Sequence, residues 1–579
     1  MRVRSLKLFV AFIAVLSLVA AACGKKTTPG ATSSGGTNPN GQIVYSLDQE
    51  DTNFNVLTSN GNEFDGVQIM DRIYPSVFHA DPGAKIFLDK DLMESADLVS
   101  SNPQVVVYKI NPKAVWQDGV PFNSEDFIYS WQAQSGLPQY TDVGGKPYDV
   151  ASNLGYSQIA SITASPDKFT VTATFSTPFA DWKSLFSTMP PAHLTKTIGW
   201  NTGLLAANVN KNTLISAGPF AFSSYTPGKD FIIVRNPKYW GPPAGLAQVD
   251  YRFITDSAQV VPALANNEIQ GVWPQPQVDL VNQLKALGNK VKLDERPGLQ
   301  YEHLDFNEAN KWLHDVNVRK AIALAIDRPQ LLATTVGQFS SGIVPMNNHY
   351  YAPVQPQYQD NSAGVTSTVT GTATSTGTAT SGPYDHANIE AAKNLLTSNG
   401  YSLSSGANPT LTKGGQAVTL HITSTQGNQL RNTEEQFVIN ALVPLGIKVT
   451  EVDTTGLGKT LSGGSFDMII FAWVETPFAS GNDPIFQTKT KNTGGQNYDG
   501  YSDPAVDSLI AQADVALDPA KQTSLYNQVD ALLWNDMATL PLFEKPTLLV
   551  YSSKYHNMQD NITSEGPVYN EEQWTVSSS

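Results

Sequence analysis

The chain of 579 residues has one cysteine, Cys23. A single thiol excludes an intramolecular disulfide and any zinc or iron–sulfur site built from several cysteines of one chain. Charge is scarce as well: Asp, Glu, Lys and Arg make up 15% of residues, against a usual ~25%. Basic residues are the scarcer sign, the formal net charge is −15, and no basic stripe is present. That argues against nucleic acid as a partner, and an acidic body does not adhere to anionic lipid. Motifs of catalysis are missing too. The eight histidines show no HxH, HxxxH or HExxH spacing, and there is no G-x-S-x-G elbow. "GLGKT", Gly456–Thr460, ends like a phosphate loop, but Asp453 stands where the first glycine is needed and would repel phosphate. The paired Glu125 and Asp126 fall at a helix start, where they complement the helix dipole. The expectation is a chain with no catalytic residue, no metal and no cofactor, hence not an enzyme.

What is present describes a large folded protein. Hydrophobic residues are 41% and aromatics 10%, and the length exceeds what one core organises, since cores stop growing near ~250–300 residues. Past the N-terminus no stretch approaches the ~18 uninterrupted apolar residues of a spanning helix.

Residues 1–22 read as a secretory signal: a basic "MRVRSLK", then the apolar Leu8–Ala22, too short to span a bilayer. Without Arg2, Arg4 and Lys7 the chain has 34 basic against 52 acidic residues, a net of −18. Ala20, Ala21 and Ala22 lead into Cys23 and Gly24, which resembles the bacterial lipobox, with Ala20 where that motif most often has Leu. The resemblance implies that Cys23 is diacylated and becomes the first residue after cleavage. An ordinary secretory signal beside an incidental cysteine is the other reading. Residues 23–41 follow as a Gly/Ser/Thr/Pro-rich flexible tether, with a mean reach of ~20–25 Å.

The body alternates strand and helix patterns. "PQVVVYKI" (103–110), "KFTVTATFS" (168–176), "FIIVR" (231–235) and "QVDYRFI" (248–254) have the β-branched alternation of strands. "DVNVRKAIALAIDR" puts Val318, Ile322, Ala325 and Ile326 on one helical face. Asp327 is an N-cap for a second helix that Gly337 ends, and "NIEAAKNLLTSNG" reads as a helix closed by Gly400. Thr366–Gly382 repeats TGTATS in tandem and reads as a solvated loop within 361–382.

Six stretches then occur in one order: "AVWQDGVPFNSEDFIYSW" (114–131), "SAGPFAFSSYTPGKDFIIVRNPKYW" (216–240), "LDFNEANKWLHDVNVRKAIALAIDR" (304–328), "YDHANIEAAKNLLTSNGY" (384–401), "GYSDPAVDSLIAQA" (500–513) and "LPLFEKP" (540–546). Together they resemble the ABC-transporter solute-binding proteins of the oligopeptide, dipeptide and nickel family, the bacterial family 5 extracellular solute-binding proteins. By themselves the motifs read as turns and core helices that mark a fold.

The resemblance implies an α/β, two-lobed periplasmic-binding-protein-like fold (type II, cluster C) with an extra inserted domain and the ligand enclosed between lobes. It implies domain I at 42–85, 187–299 and 541–579, domain II at 86–186 and domain III at 300–540. It further implies a monomeric, lipid-anchored receptor on the extracytoplasmic face of the cell membrane. That receptor captures peptides and passes them to the permease and ATPase subunits of an ABC importer. A nickel chelate, sugar, opine or lipid-like solute is the alternative cargo, and a secreted hydrolase the alternative class. In peptide-binding relatives the ligand's N-terminal ammonium is met by an Asp three residues after a Trp. Trp473 matches; Thr476 stands in the Asp position, with Glu475 one step away and Asp483 nearby. The expected ligand-binding residues are Trp473, Val474, Glu475, Thr476 and Asp483, with Asn60, Asn62, Phe64, Trp273, Tyr498 and Tyr501.

Overall fold

The computed structural model describes residues 38–364, 382–474, 476–490 and 495–578. Cys23 with its signal and most of its tether, the repeat at 365–381, and Glu475 lie outside the described residues. The strands used below are, in chain order, β1 (Gln42–Leu47), β2 (Met93–Ser101), β3 (Gln104–Ile110), β4 (Ile159–Ala164), β5 (Thr170–Phe175), β6 (Phe220–Thr226), β7 (Asp230–Arg235), β8 (Gln248–Phe253), β9 (Gly271–Val272), β10 (Val291–Phe306), β11 (Thr419–Thr423), β12 (Lys448–Glu451), β13 (Met468–Val474) and β14 (Thr539–Ser552). The helices are α1 (Phe64–Met70), α2 (Ser124–Gln134), α3 (Val316–Ala325), α4 (Arg328–Thr334), α5 (Ile389–Ser398), α6 (Gln429–Leu442), α7 (Pro504–Asp514) and α8 (Pro519–Asp536).

One sheet of ten strands runs through the molecule in the order β12-β11-β13-β10-β14-β9-β1-β8-β7-β6. Its centre is the antiparallel pair β10 and β14, which run alongside each other from Val291↔Ser552 to Asp305↔Thr539. One half of this pair meets β9 (Val272↔Val550), the other meets β13 (Tyr301↔Trp473). The register shifts between Pro297 and Gln300 and again after Glu302, so the pairing is weakest midway. β14 is buried from Thr539 to Tyr551, as a near-continuous apolar run requires when both faces are covered.

Two cores flank that midpoint. On the first lobe Tyr45, Ile69 and Val249 pack with Val106, Tyr108 and Val171. The separate antiparallel sheet β2-β3-β5-β4 therefore shares a core with β1 and β8. On the second lobe Leu304, Ile322, Val438, Ile470 and Leu540 pack together. The domain limits expected at 299/300 and 540/541 both fall inside strands, because the lobes share β10 and β14 instead of being joined by loops.

The locally patterned elements form where the sequence places them. Val318, Ile322 and Ala325 of α3, and Ile326 after it, are all buried, each large aliphatic among them stabilising by about 1.5–3 kcal/mol. Asp315 caps α3 and Asp327 caps α4. α4 ends at Thr334, and Gly337 lies in a following 3-10 turn. Asp126 completes a capping box with Asn123 at the start of α2 and also accepts from Ala192 N at 3.0 Å. "GLGKT" continues into a short helix, Leu457–Ser462.

The motif arginines are structural. Arg328 is fully buried and donates to the carbonyls of Met346 (2.7 Å), Pro541 (3.0 Å) and Tyr384 (2.9 Å) and to Asp385 (2.6 Å). Arg319 donates to the carbonyls of Leu313, Asp536 and Met537. Gly218, in "SAGPF", is required by packing: an added Cβ would come within 2.1 Å of the Arg72 carbonyl.

Candidate functional site

β13 runs out of the second-lobe core and carries Phe471 and Trp473 on one face, beside His303 and Tyr301 of β10. The rings stack. Trp473 lies parallel to His303 (centroids 5.7 Å, 4°) and to Tyr498 (6.2 Å, 8°), with Phe471 edge-on at 5.0 Å. His303 is held by Asp305, whose Oδ1 is 2.7 Å from Nδ1, while its buried Nε2 has no partner. On the first lobe Phe64, opening α1, stacks on Trp273 at 5.1 Å.

A line of polar contacts ties the lobes together. Lys545 of β14 donates to Gln275, two residues after Trp273, at 2.6 Å, and to Glu302 of β10 at 3.0 Å. Arg431 of α6 reaches the same carboxylate, Nε to Oε2, at 3.2 Å. Burial opposes the Glu302 charge, but Arg431 and Lys545 outweigh it and hold its pKa down at about 2. The first-lobe carboxyls behave oppositely. Burial pushes Asp48 up to about 6, Asp65 to about 7 and Asp51 to about 8; for Asp65 the Asp48 charge adds to the rise, and for Asp51 that of Asp65. Neither oxygen of Asp51 has a hydrogen-bond partner. The two cations are already shared by Glu302, so carboxyl groups are in excess on the first-lobe side.

At another point the lobes touch directly. Asp181, after β5, accepts from Ser480 N (3.1 Å), Ser480 Oγ (2.6 Å) and Gln522 Nε2 (3.0 Å), and Ala180 N donates to the Asp514 carbonyl at 2.7 Å.

The structure brings Trp473 and Tyr498 into one stack and Phe64 and Trp273 into another. Val474 is exposed at the strand end, and Asn60 and Asn62 are exposed on the loop before α1. Thr476 turns its hydroxyl onto the Phe478 carbonyl at 2.7 Å. Asp483 and Tyr501 sit apart from these aromatics in the helical core. Asp483 accepts from Tyr526 and Tyr350 at 3.1 and 3.3 Å, and burial, then Asp514, pushes its pKa well up. Tyr501 donates to Asp536 at 2.8 Å. Lys545, Gln275, Glu302 and Arg431 were not singled out from sequence. The one available signal was a lysine inside the apolar run of "LPLFEKPTLLVY".

Two cavities lie elsewhere, and neither is lined by an expected site residue. One of about 490 Å³ in the first lobe is lined by Asp71, Arg72, His79 and Tyr239 among others. Its charges are met internally, Arg72 by Asp71 and His79 by Glu565 at 3.0 Å. One of about 480 Å³ opens beside Asn307, His421 and Asp467. No helix among the described residues is long and apolar enough to cross a membrane.

The sequence profile described as "Bacterial extracellular solute-binding proteins, family 5 Middle" matches residues 88–496. The chain belongs to this family. As a family 5 solute-binding protein it is 29% identical to the oligopeptide-binding protein OppA of Mycobacterium tuberculosis over 529 residues, 89% of this chain and 82% of OppA. It is 24% identical over 577 residues to an uncharacterized lipoprotein of the same organism, 92% of this chain and 93% of that one. Among solved structures it is similar to the periplasmic EDTA-binding protein EppA. There the TM-score is 0.85 and the identity 28%, covering 96% of this chain and all of that one. OppA and EppA are solute-binding proteins by their descriptions.

Proposed function

We propose that this chain captures peptides outside the cytoplasm and delivers them to the permease and ATPase subunits of an ABC importer, without chemistry of its own. The observation that carries the peptide reading is an unpaired strand edge. On one side β13 is paired with β10 along Met468–Val474. On the other, β11 reaches only Met468 and Ile469. Among the described residues, Ile470–Val474 has no partner strand on that edge, and it carries Trp473. An extended peptide can add there as a strand, held by main-chain hydrogen bonds that do not depend on its sequence. Its side chains would alternate in direction, with the His303–Trp473–Tyr498 stack as an apolar wall. The excess of first-lobe carboxyls favours a ligand ammonium, which would draw Asp48, Asp51 and Asp65 toward their charged forms. Glu475 is a further candidate partner for that ammonium.

Calorimetric titration with a short peptide and with the same peptide N-acetylated tests this reading. A free ammonium meeting carboxylates contributes about 1.5–3 kcal/mol, so acetylation is expected to weaken binding about tenfold or more. Equal affinities remove the ammonium from the account, and no binding of any peptide removes the peptide.

A second reading, a chelate cargo, is supported by the similarity to EppA. The charge balance weighs against a polyanionic chelate, because Arg431 and Lys545 are both committed to Glu302. The likeness to a lipoprotein supports a lipid anchor at Cys23 on the extracytoplasmic face. Cys23→Ser is expected to shed the protein from membranes and leave cargo affinity intact.

A further inference from the structure

Asp453, the residue that spoils the phosphate-loop pattern in the sequence, stands in a different kind of site. Glu435 of α6, Glu451 at the end of β12 and Asp453 just beyond it each turn a carboxylate oxygen to one point, and these oxygens lie within 4.8 Å of one another. Three carboxylates converging on the flank of the second lobe repel one another unless a cation or a proton lies between them.

The side chains around them supply none. Glu435 is fully buried, and neither of its oxygens has a hydrogen-bond partner; Asp453 Oδ1 is likewise buried and unpartnered. Ser424, also fully buried, places its Oγ near Glu435 without a hydrogen bond of normal geometry. Arg431, one turn earlier on α6, is the neighbouring cation. Its three nitrogens go elsewhere: Nε and Nη2 to Glu302 at 3.2 and 3.4 Å, and Nη1 to Thr425 at 3.1 Å. Glu451 is oriented by Gln436, whose Nε2 donates to Oε2 at 2.7 Å. Glu451 is exposed and Asp453 half-buried, so an ion and its remaining waters can enter.

We propose that Glu435, Glu451 and Asp453 bind a hard divalent cation, calcium in preference to magnesium. An all-oxygen donor set without His or Cys selects this class over zinc or copper. Within it, ligands drawn from a helix, a strand end and a loop suit calcium, which takes about six to eight oxygens in flexible geometry, better than magnesium, which demands near-ideal octahedral geometry and dehydrates reluctantly. The site is independent of the cargo reading and pins α6, which carries Arg431, to the strand and loop beside it.

The test uses the mature chain stripped with a chelating resin, because a soluble chelator could itself occupy the cleft. Calorimetric titration with calcium chloride is expected to give saturable binding of one ion with Kd on the order of 10⁻⁴–10⁻³ M, and magnesium chloride at least tenfold weaker binding. Glu435→Gln and, separately, Asp453→Asn are expected to lose at least tenfold in calcium affinity. Glu435→Gln is also expected to melt higher than wild type without metal, since it removes a buried like charge. Absence of saturable calcium binding in wild type overturns the proposal. So do calcium affinities unchanged in both variants, or magnesium bound as tightly as calcium.

Discussion

Asp181 on the first lobe accepts hydrogen bonds from both the backbone N and the hydroxyl of Ser480 on the second, at 3.1 and 2.6 Å. Neither residue belongs to the aromatic stacks, so the contact is expected to act on closure and not on cargo contacts. Cargo that binds the closed form more tightly is bound in proportion to the closed population. Hydrogen bonds to a charged group contribute about 1.5–3 kcal/mol each. Asp181→Ala is therefore expected to weaken cargo binding about tenfold and to enlarge the radius of gyration of the unliganded protein in small-angle scattering. Unchanged affinity together with an unchanged radius contradicts the latch.

Trp473 is half-exposed, and its ring is sandwiched between His303 and Tyr498. Trp473→Ala is expected to leave the melting temperature within a few degrees and to weaken cargo binding about fivefold or more, as the loss of aromatic contacts of about 0.5–1.5 kcal/mol each implies. Trp473→Phe should recover part of that loss. Full affinity in the alanine variant places the cargo elsewhere.

Stability should fall as pH rises. Burial raises Asp48, Asp65 and Asp51 to about 6, 7 and 8, from roughly 4 in the unfolded chain. Between those limits the folded chain holds protons that the unfolded chain has lost. The stabilisation is full below pH ~4 and is lost as pH rises toward 8. Asp51→Asn is expected to melt like wild type at pH 5 and above it at pH 8, read by calorimetry. Parallel melting curves across that range reject the assignment.

Arg328 ties α4 to three carbonyls and to Asp385 from a fully buried position. A lysine keeps the charge but not the fork. Arg328→Lys is expected to cost about 1–3 kcal/mol in denaturant unfolding, as buried acceptors left without a donor do, while the folded protein binds cargo normally. A loss below about 1 kcal/mol contradicts the structural role given to this motif residue.

These cases show which parts of the molecule are legible in the sequence. α3, α5, β3 and β5 announce themselves because their period lies within a dozen residues. The shared strands β10 and β14 do not, because their pairing joins positions such as Glu302 and Lys545, 243 residues apart. Trp473 is legible through a motif, whereas its stacking against Tyr498 is not. Asp483 and Tyr501 lie near Trp473 in sequence, yet tyrosine and aspartate partners in the helical core claim their polar atoms. The cation cluster carries no motif, since its three carboxylates come from a helix, a strand end and a loop. The strand edge at Ile470–Val474 depends on how far β11 extends, which no local pattern records.

The unpaired edge of β13 leads to the expectation that the cleft holds peptide. Mass spectrometry of small molecules released on gentle denaturation of protein purified from its own host tests it most directly. A ladder of mixed short peptides, lost in Trp473→Ala, is the predicted result. A single chelate, sugar or other non-peptide solute at one equivalent per chain would contradict it.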